Sequence, residues 1–454
     1  MTILPIDSGR YGSNEIKIIF EEESRLKYIL NFESAVSKAQ AEIGLIPKDA
    51  SLEIENKIKS NIITLSRVKE IEKTTDHDIG AVVTAIGEVC SENTKPWVHY
   101  GLTSNDVMDT ATSMQIRDSL KIIELKMVKL IVLLSEKSLM YKKLPSVGRT
   151  HGQHASIISF GLKFTVWASE MIKNLERIDQ GKKRFLICKT LGVVGTGSLM
   201  GEKALHVQQI SSQILDLYPI EAATQVVPRE RYTEFQFLLA LIGSSLDKIA
   251  IEIRNLQRTE IGELSESFKT GQMGSSAVPV KRNPIKSERV SSLAKLLRSF
   301  VSTSFENISL WHERDLSNSA NERFIIPMGV IILDEMLDTM IKVISELKIN
   351  DNKIISNINQ TNGQIFAEFI LEDLIKKGVP RMEAYREIQR IAFESFDKQE
   401  NFLNSIQNDK KLSSYFSKTD LEEIFKPDNH LAASTTIIEN ISTIATNLKH
   451  KYGF

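Results

Sequence analysis

The chain has 454 residues, of which 42% are hydrophobic and 25% are charged, a composition typical of globular proteins. Its formal net charge is -1, so charge gives no support to general binding of nucleic acid or of an acidic membrane surface. Two cysteines are too few for a disulfide framework. Because the first 12 residues lack a signal-peptide pattern and no apolar run reaches membrane-spanning length, we expect a cytoplasmic protein.

Glycine and proline are distributed unevenly, and this predicts three long helical rods. Residues 102–144 and 285–326 contain neither residue type, and 229–261 contain only Gly243. Apolar residues in the first stretch recur at helical spacing, for example Ile116 and Leu120. A helix of about 40 residues spans about 60 Å, and such a rod needs packing partners along most of its length.

We therefore predict a mostly α fold of three helical domains. Residues 1–98 have breaks typical of shorter helices, residues 99–346 form a central long-helix bundle, and residues 347–454 form a small C-terminal helical domain. Rods of this length also favour completion of the bundle by other subunits.

Two polar segments precede the first predicted rod. Residues 75–78, with His77 and Asp78, form by themselves a polar turn. Thr103 and Asp106, three residues apart, resemble a capping box, and free amides at a helix start bind anions. Simple helix capping is the alternative interpretation.

Residues 148–155 (GRTHGQHA) are expected to open the second rod. His151 follows Thr150, and histidine is the residue type that commonly serves as a general acid or base. His151 and His154 could instead form a zinc pair, but no cysteine or carboxylate accompanies them at ligand spacing, so we predict no metal. The glycine-rich residues 192–201 lack the ending of a phosphate loop, and we expect a turn or a close backbone approach there.

Two later segments carry clustered cations. Residues 274–284 (GSSAVPVKRNP) combine hydroxyls, Lys281 and Asn283 in a stretch too rich in glycine and proline for regular structure. Residues 311–323 supply Arg314 and Arg323, and guanidinium groups bind phosphate bidentately. An exposed, charged helix face is the alternative for this second segment.

Taken together and in this order, the segments resemble the fumarase/aspartase superfamily, and most closely its adenylosuccinate lyases. The loop 274–284 is similar to the superfamily signature, whose pattern is GSSxMxxKxNP, and the Lys-Arg-Asn-Pro wording is that of the adenylosuccinate lyases. Val278 stands where the superfamily usually has methionine. Val280 stands where the adenylosuccinate lyases commonly have histidine or tyrosine.

The resemblance implies a fumarase/aspartase-like fold and a C–N lyase without a cofactor. The implied reaction of purine synthesis is β-elimination of fumarate from adenylosuccinate, giving AMP, and from succinylaminoimidazole-carboxamide ribotide, giving AICAR. It also implies a homotetramer in which three subunits build each active site.

The resemblance assigns roles to individual residues. Ser275 is the implied base, with Ser276 as the alternative, and His151 is the implied general acid. Lys281 and Asn283 fit the stabilisation of a dianionic intermediate, which requires cations and amide donors. The implied substrate-binding residues are Arg10, Tyr11, His77, Asp78, His99, Thr103, Ser104, Thr150, Gln225, Ser276, Lys281, Asn283, Glu288, Arg289, Arg314, Ser319 and Arg323.

Other interpretations stay open at this level. Argininosuccinate lyase, aspartase, fumarase and carboxymuconate cycloisomerase share the scaffold and the loop. A non-catalytic helical scaffold is a further alternative, although it predicts loss of Ser275, His151 or Lys281, and all three are present.

Overall fold

This computed structural model describes residues 4–269, 271–272, 274 and 277–453. Among these residues, five long α-helices make up most of the middle of the chain. They span Ser104–Met140, Phe160–Phe185, Glu230–Leu256, Ile285–Glu306 and Ser319–Glu346. The predictions of a mostly α fold and of the first rod are confirmed. The first helix contains 37 residues, and its periodic apolar residues Ile116, Leu120 and Ile123 are buried.

The prediction of one rod over 285–326 is wrong, because residues 307–318 interrupt it. Within this break, Asp315 accepts hydrogen bonds from the backbone N–H groups of Trp311 (2.6 Å) and Ser317 (2.7 Å). An aspartate that bonds nearby backbone groups competes with the helix for them. The absence of glycine and proline therefore does not guarantee a continuous helix.

Gly243 is the only glycine in the helix Glu230–Leu256, and it marks a close helix contact. A Cβ atom at this position would lie 2.6 Å from Leu297 Cδ1 and 3.5 Å from Met336 Cε. The missing side chain lets these helices approach closely.

The contacts divide the chain into two units, and the division falls inside each of the five long helices. The first unit comprises residues 1–126, 174–244 and 292–338. Besides its parts of the long helices, it contains a two-stranded parallel sheet, Ile187–Cys188 with Tyr218–Pro219. Its shorter α-helices are Asn14–Phe20, Glu22–Glu42, Lys48–Lys59, Leu65–Thr75, Asp78–Val89 and Ala204–Leu215, and its 3₁₀ helices are Lys95–Trp97 and Gly201–Lys203.

The second unit comprises residues 127–173, 245–291 and 339–454. It contains the antiparallel pairs Pro145–Thr150 with Gln153–Ser159 and Leu264–Ser265 with Lys348–Ile349. Its shorter α-helices are Asp351–Ile358, Ala367–Lys376, Arg381–Asp397, Phe402–Asn408, Lys418–Ile424 and Ala432–Lys451. Its 3₁₀ helices are Asn359–Thr361, Gln364–Phe366, Leu412–Ser414 and Pro427–His430.

The division by contacts does not test the predicted domains 1–98, 99–346 and 347–454, which stay a prediction. Among the described residues, no helix is both long enough and apolar enough to cross a membrane.

Candidate active site

A cavity of about 350 Å³ lies within the first unit and is lined by three of the residues predicted to bind substrate. Arg314 comes from the break before the helix Ser319–Glu346, and Ser319 and Arg323 come from the first turns of that helix. The cavity brings these side chains to one place, although Arg323 is 62% exposed, and their role in binding the substrate stays a prediction.

Asp106 organises the start of the first long helix. One of its oxygens accepts from the Thr103 N–H (2.9 Å), which is one half of the predicted capping box, and also from the Gly192 N–H (3.0 Å). The other oxygen accepts from Lys189 Nζ, and both side chains are fully buried. Gly192 has a φ of 74°, and a Cβ atom there would lie 3.3 Å from Gly101 O. The prediction of a close backbone approach in this loop is thus confirmed.

His77 and Ser104 are adjacent in the structure. The Gly80 N–H donates to His77 Nδ1 (3.0 Å) and so caps the helix Asp78–Val89. A neutral imidazole that accepts at Nδ1 carries its proton at Nε2. This nitrogen lies 3.4 Å from Ser104 Oγ and can therefore donate to it.

Asp78 and Gln225 contact the predicted arginines. Arg323 Nη2 lies 3.2 Å from Asp78 Oδ2. Arg314 Nη1 donates to Gln225 Oε1 (2.7 Å), while Gln225 Nε2 donates to Val193 O (2.9 Å). The glycine-rich loop therefore orients the glutamine, which in turn orients Arg314.

The partner of His99 is the buried Glu33. The distance from His99 Nδ1 to Glu33 Oε1 is 2.7 Å. Burial lowers the pKa of His99, but the Glu33 carboxylate more than offsets this effect, and the pKa is raised overall. The pair therefore favours a charged imidazole.

Arg10 and Tyr11 lie in the segment before the first helix, and Arg10 is exposed. This segment is held by the Gly12 and Ser13 N–H groups, which donate to Glu335 (3.2 Å) and Asp334 (2.8 Å). Neither Arg10 nor Tyr11 is among the described residues that line the cavity. Their role in binding the substrate stays a prediction.

The segment around His151 is a β-hairpin in the second unit, so the prediction that it opens the second rod is wrong. Residues 151 and 152 form a two-residue turn between paired Thr150 and Gln153, with φ values of 54° and 76°. Successive positive φ angles are typical of a type I′ turn and exclude a helix. The turn places His151 and Thr150 at an exposed tip.

Beside the turn of this hairpin, Arg149 belongs to a polar cluster that the sequence did not predict. Arg149 Nη2 pairs with Glu263 Oε1 (2.5 Å), and Asn357 Nδ2 donates to the same oxygen (2.9 Å). A register irregularity between Gly148 and Arg149 sets Arg149 opposite His154. Burial and then Arg149 lower the pKa of His154, which disfavours its charged form.

Lys281 and Asn283 lie in the second unit, and Lys281 is exposed. Asn283 Nδ2 donates to Gly274 O (2.8 Å), and a Cβ atom at Gly274 would lie 1.9 Å from Lys281 O. The glycine is therefore required for this loop to fold back on itself. Val280 is 85% exposed. The implied base and its alternative, Ser275 and Ser276, lie outside the described residues.

Glu288 and Arg289 lie in the first turns of the helix Ile285–Glu306. Glu288 is exposed and Arg289 is half-buried. Their implied roles in binding substrate stay predictions.

A second buried network borders the cavity and was also missed. Arg229 makes a two-pronged contact with Asp109 (3.0 Å for each pair of atoms), and its Nε lies 3.2 Å from Glu322 Oε1. The Tyr232 hydroxyl donates to Asp109 O (3.1 Å). No local sequence pattern predicts a pair of residues 120 positions apart.

Comparison with known proteins agrees with this architecture. A family model described as "Lyase" matches residues 9–297, and one described as "Adenylosuccinate lyase C-terminus" matches residues 363–441. The fold is shared with the 3-carboxy-cis,cis-muconate lactonizing enzyme from Pseudomonas putida, with a TM-score of 0.85, 24% identity, and coverage of 98% of this chain and 100% of that one.

Curated relatives are closer in sequence. The chain is 40% identical over 451 residues to the adenylosuccinate lyase of Methanocaldococcus jannaschii, covering 99% of this chain and 97% of the relative. It is 40% identical to that of Pyrococcus abyssi, covering 99% and 100%, and 38% identical to that of Thermotoga maritima, covering 95% and 98%. The chain therefore belongs to the adenylosuccinate lyase family of the fumarase/aspartase superfamily.

Proposed function

We propose that the chain is a C–N lyase that releases fumarate from adenylosuccinate, giving AMP, and from succinylaminoimidazole-carboxamide ribotide, giving AICAR. The observation that carries this proposal is the 40% identity to curated adenylosuccinate lyases across 99% of the chain. The cavity supports a nucleotide substrate, because its volume of about 350 Å³ is in the range of small-molecule sites. Its arginines suit a phosphate group.

The elimination requires a base, an acid and a site for negative charge. Ser275 removes the proton from the carbon beside a carboxylate, and Lys281 and Asn283 stabilise the dianion that forms. The electron pair then forms the C=C bond of fumarate while the C–N bond breaks. The imidazolium of His151 protonates the leaving nitrogen.

Thr103 and Ser104 are proposed to hold a carboxylate of the succinyl group. They stand at the start of a 37-residue helix, where unpaired backbone N–H groups and the helix dipole favour an anion. His77, which lies 3.4 Å from Ser104 Oγ, supplies a further donor in the same place. Asp78 in turn positions Arg323.

A spectrophotometric comparison of adenylosuccinate, argininosuccinate and malate tests the proposed substrate. We expect turnover of adenylosuccinate alone, because the arginine-lined cavity matches a nucleotide phosphate. The Arg314→Gln variant is the control and is expected to lose turnover of adenylosuccinate, since it removes one of these guanidinium groups. Faster turnover of argininosuccinate or malate by the wild-type chain would contradict the proposal.

We also propose a cytoplasmic homotetramer in which three subunits contribute to each active site. Two free, buried cysteines, Cys90 and Cys188, agree with a reducing compartment. Large apolar side chains are exposed on the long helices, including Phe237, Phe305 and Phe324. Exposed apolar surface of this kind marks interaction sites.

Mixing two inactive variants tests the sharing of sites. His151→Asn and Ser275→Ala each remove one proposed catalytic group, so a mixed tetramer is expected to contain some sites in which both groups are intact. We expect partial recovery of adenylosuccinate cleavage after subunit exchange, whereas each variant mixed with itself stays inactive. No recovery, with exchange verified by differently tagged subunits, would argue against shared sites.

A further inference from the structure

Arg25 is a cavity residue for which the sequence analysis assigned no role. It belongs to the helix Glu22–Glu42 and lines the same cavity as Arg314 and Arg323. Arg25 Nη1 donates to Gln115 Oε1 (3.2 Å), and Gln115 Nε2 donates to Ile19 O (2.8 Å). Gln115 is 2% exposed. The Ile19 carbonyl therefore fixes the orientation of the Gln115 amide, and this amide fixes the orientation of the Arg25 guanidinium.

The charge of Arg25 is not neutralised by an ion pair. Within the described part of the chain, neither Arg25 nor Arg314 has a carboxylate within 4.0 Å, and each bonds a glutamine amide instead. Of the two other arginines that line the cavity, Arg229 pairs with Asp109 and Glu322, and Arg323 lies 3.2 Å from Asp78 Oδ2 with both side chains partly exposed. The Arg25 and Arg314 side chains are half-buried, and a cation partly removed from water without a counter-ion is unfavourable, so an anion that comes with the ligand is the expected partner.

The local potential also favours an anion. Burial and then Arg323 lower the pKa of Arg25, whereas Asp78, Asp109 and Tyr232 raise it by smaller amounts, and the pKa is lowered overall. Glu22, the acidic residue one turn before Arg25, pairs with Lys69 rather than with the cavity arginines. A phosphate monoester, with about two negative charges and several acceptor oxygens, matches three guanidinium groups better than a single carboxylate does.

We propose that Arg25, held in place by Gln115, binds the phosphate group of the nucleotide substrate together with Arg314 and Arg323. This inference rests on the proposed function for the identity of the substrate. It adds a binding residue from the helix Glu22–Glu42, 289 positions before Arg314 in the chain. Gln115 is a positioning residue that acts through Arg25.

The test compares kcat/KM for adenylosuccinate with kcat/KM for its dephosphorylated nucleoside. The variant Arg25→Gln removes the charge at similar size. Loss of a charge-assisted hydrogen bond is expected to lower kcat/KM for adenylosuccinate about 10- to 100-fold. The kcat/KM for the nucleoside is expected to stay within about threefold of wild type, because that substrate has no phosphate group for Arg25 to bind.

The matched control is Arg117→Gln. Arg117 lies on the helix Ser104–Met140 two residues after Gln115, pairs with Asp118 (2.9 Å) and is 17% exposed, but is not among the described cavity residues. It is expected to leave the ratio of the two kcat/KM values unchanged. Arg25→Lys is the second variant if Arg25→Gln folds poorly. Its single ammonium group is expected to restore part of the preference for adenylosuccinate over the nucleoside, measured as the ratio of the two kcat/KM values.

Three results overturn the inference. They are an equal loss for both substrates, which indicates a structural role or a contact with a succinyl carboxylate that both substrates carry; a larger loss for the nucleoside; and unchanged cleavage of adenylosuccinate. If the wild-type chain does not cleave adenylosuccinate at all, the proposed function fails. Calorimetric titration with AMP and adenosine then tests Arg25 separately, with weaker AMP binding by Arg25→Gln as the supporting result and equal AMP binding as the overturning one.

Discussion

The His151→Asn variant is expected to release fumarate from adenylosuccinate about 10²- to 10⁴-fold more slowly than the wild-type chain, the usual contribution of a general acid. The exposed tip of the hairpin leaves the imidazole free to approach a substrate. Asparagine is a better replacement than alanine, because His151 has a φ of 54° and asparagine tolerates this left-handed conformation. Steady-state kcat, with far-UV circular dichroism as a check of folding, measures the effect.

Two neighbouring variants serve as controls for His151. Gln153→Ala alters an exposed side chain of the same hairpin and is expected to leave kcat within about threefold, since it changes no proposed catalytic group. His154→Gln removes the other histidine, whose lowered pKa disfavours the charged form that donates the proton, and is expected to retain most of the kcat. A larger loss in His154→Gln than in His151→Asn would reverse the assignment.

The largest loss of stability is expected from Lys189→Met. Lys189 and Asp106 are both fully buried and bonded to each other, so the substitution leaves the buried Asp106 carboxyl group without its ammonium partner. Breaking a buried pair from one side typically costs about 3–5 kcal/mol of unfolding free energy. Urea unfolding at one fixed protein concentration measures this change.

Lys121→Met is the matched control for this effect. Lys121 lies on the helix Ser104–Met140, and its side chain is 61% exposed beside Asp118. Exposed ion pairs contribute at most about 1 kcal/mol, so we expect a shift in unfolding free energy no larger than that. A similar small shift in Lys189→Met would mean that the buried pair does not hold this region together.

Local features of the sequence were sufficient for some elements of the fold. The helix Ser104–Met140 follows from a 3.6-residue apolar period without glycine or proline, because both the period and the missing breakers act within a few turns. The turn chemistry of residues 192–201 is likewise local, since glycine permits the positive φ angles found there. The break at 307–318 was missed because aspartate and serine were not weighed as competitors for the backbone.

The hairpin at His151 was missed for a different reason. Its buried residues Val147 and Ile157 pack in a cluster with Ile358, Phe366 and Leu431, which lie between 201 and 284 positions later in the chain. A short β-branched segment flanked by glycine is ambiguous without such partners. Packing against distant residues, rather than local preference, selects the strands.

The sequence by itself determined the family, the long helices Ser104–Met140 and Glu230–Leu256 and the set of residues suited to an elimination, because these depend on residue type, order and local period. Only the tertiary structure decided which of those residues meet. Arg25 bonds Gln115 across 90 positions, and Arg229 bonds Asp109 across 120. Such partners are brought together by helix packing, and packing depends on the summed burial of whole helix faces. No single segment of the chain contains that information.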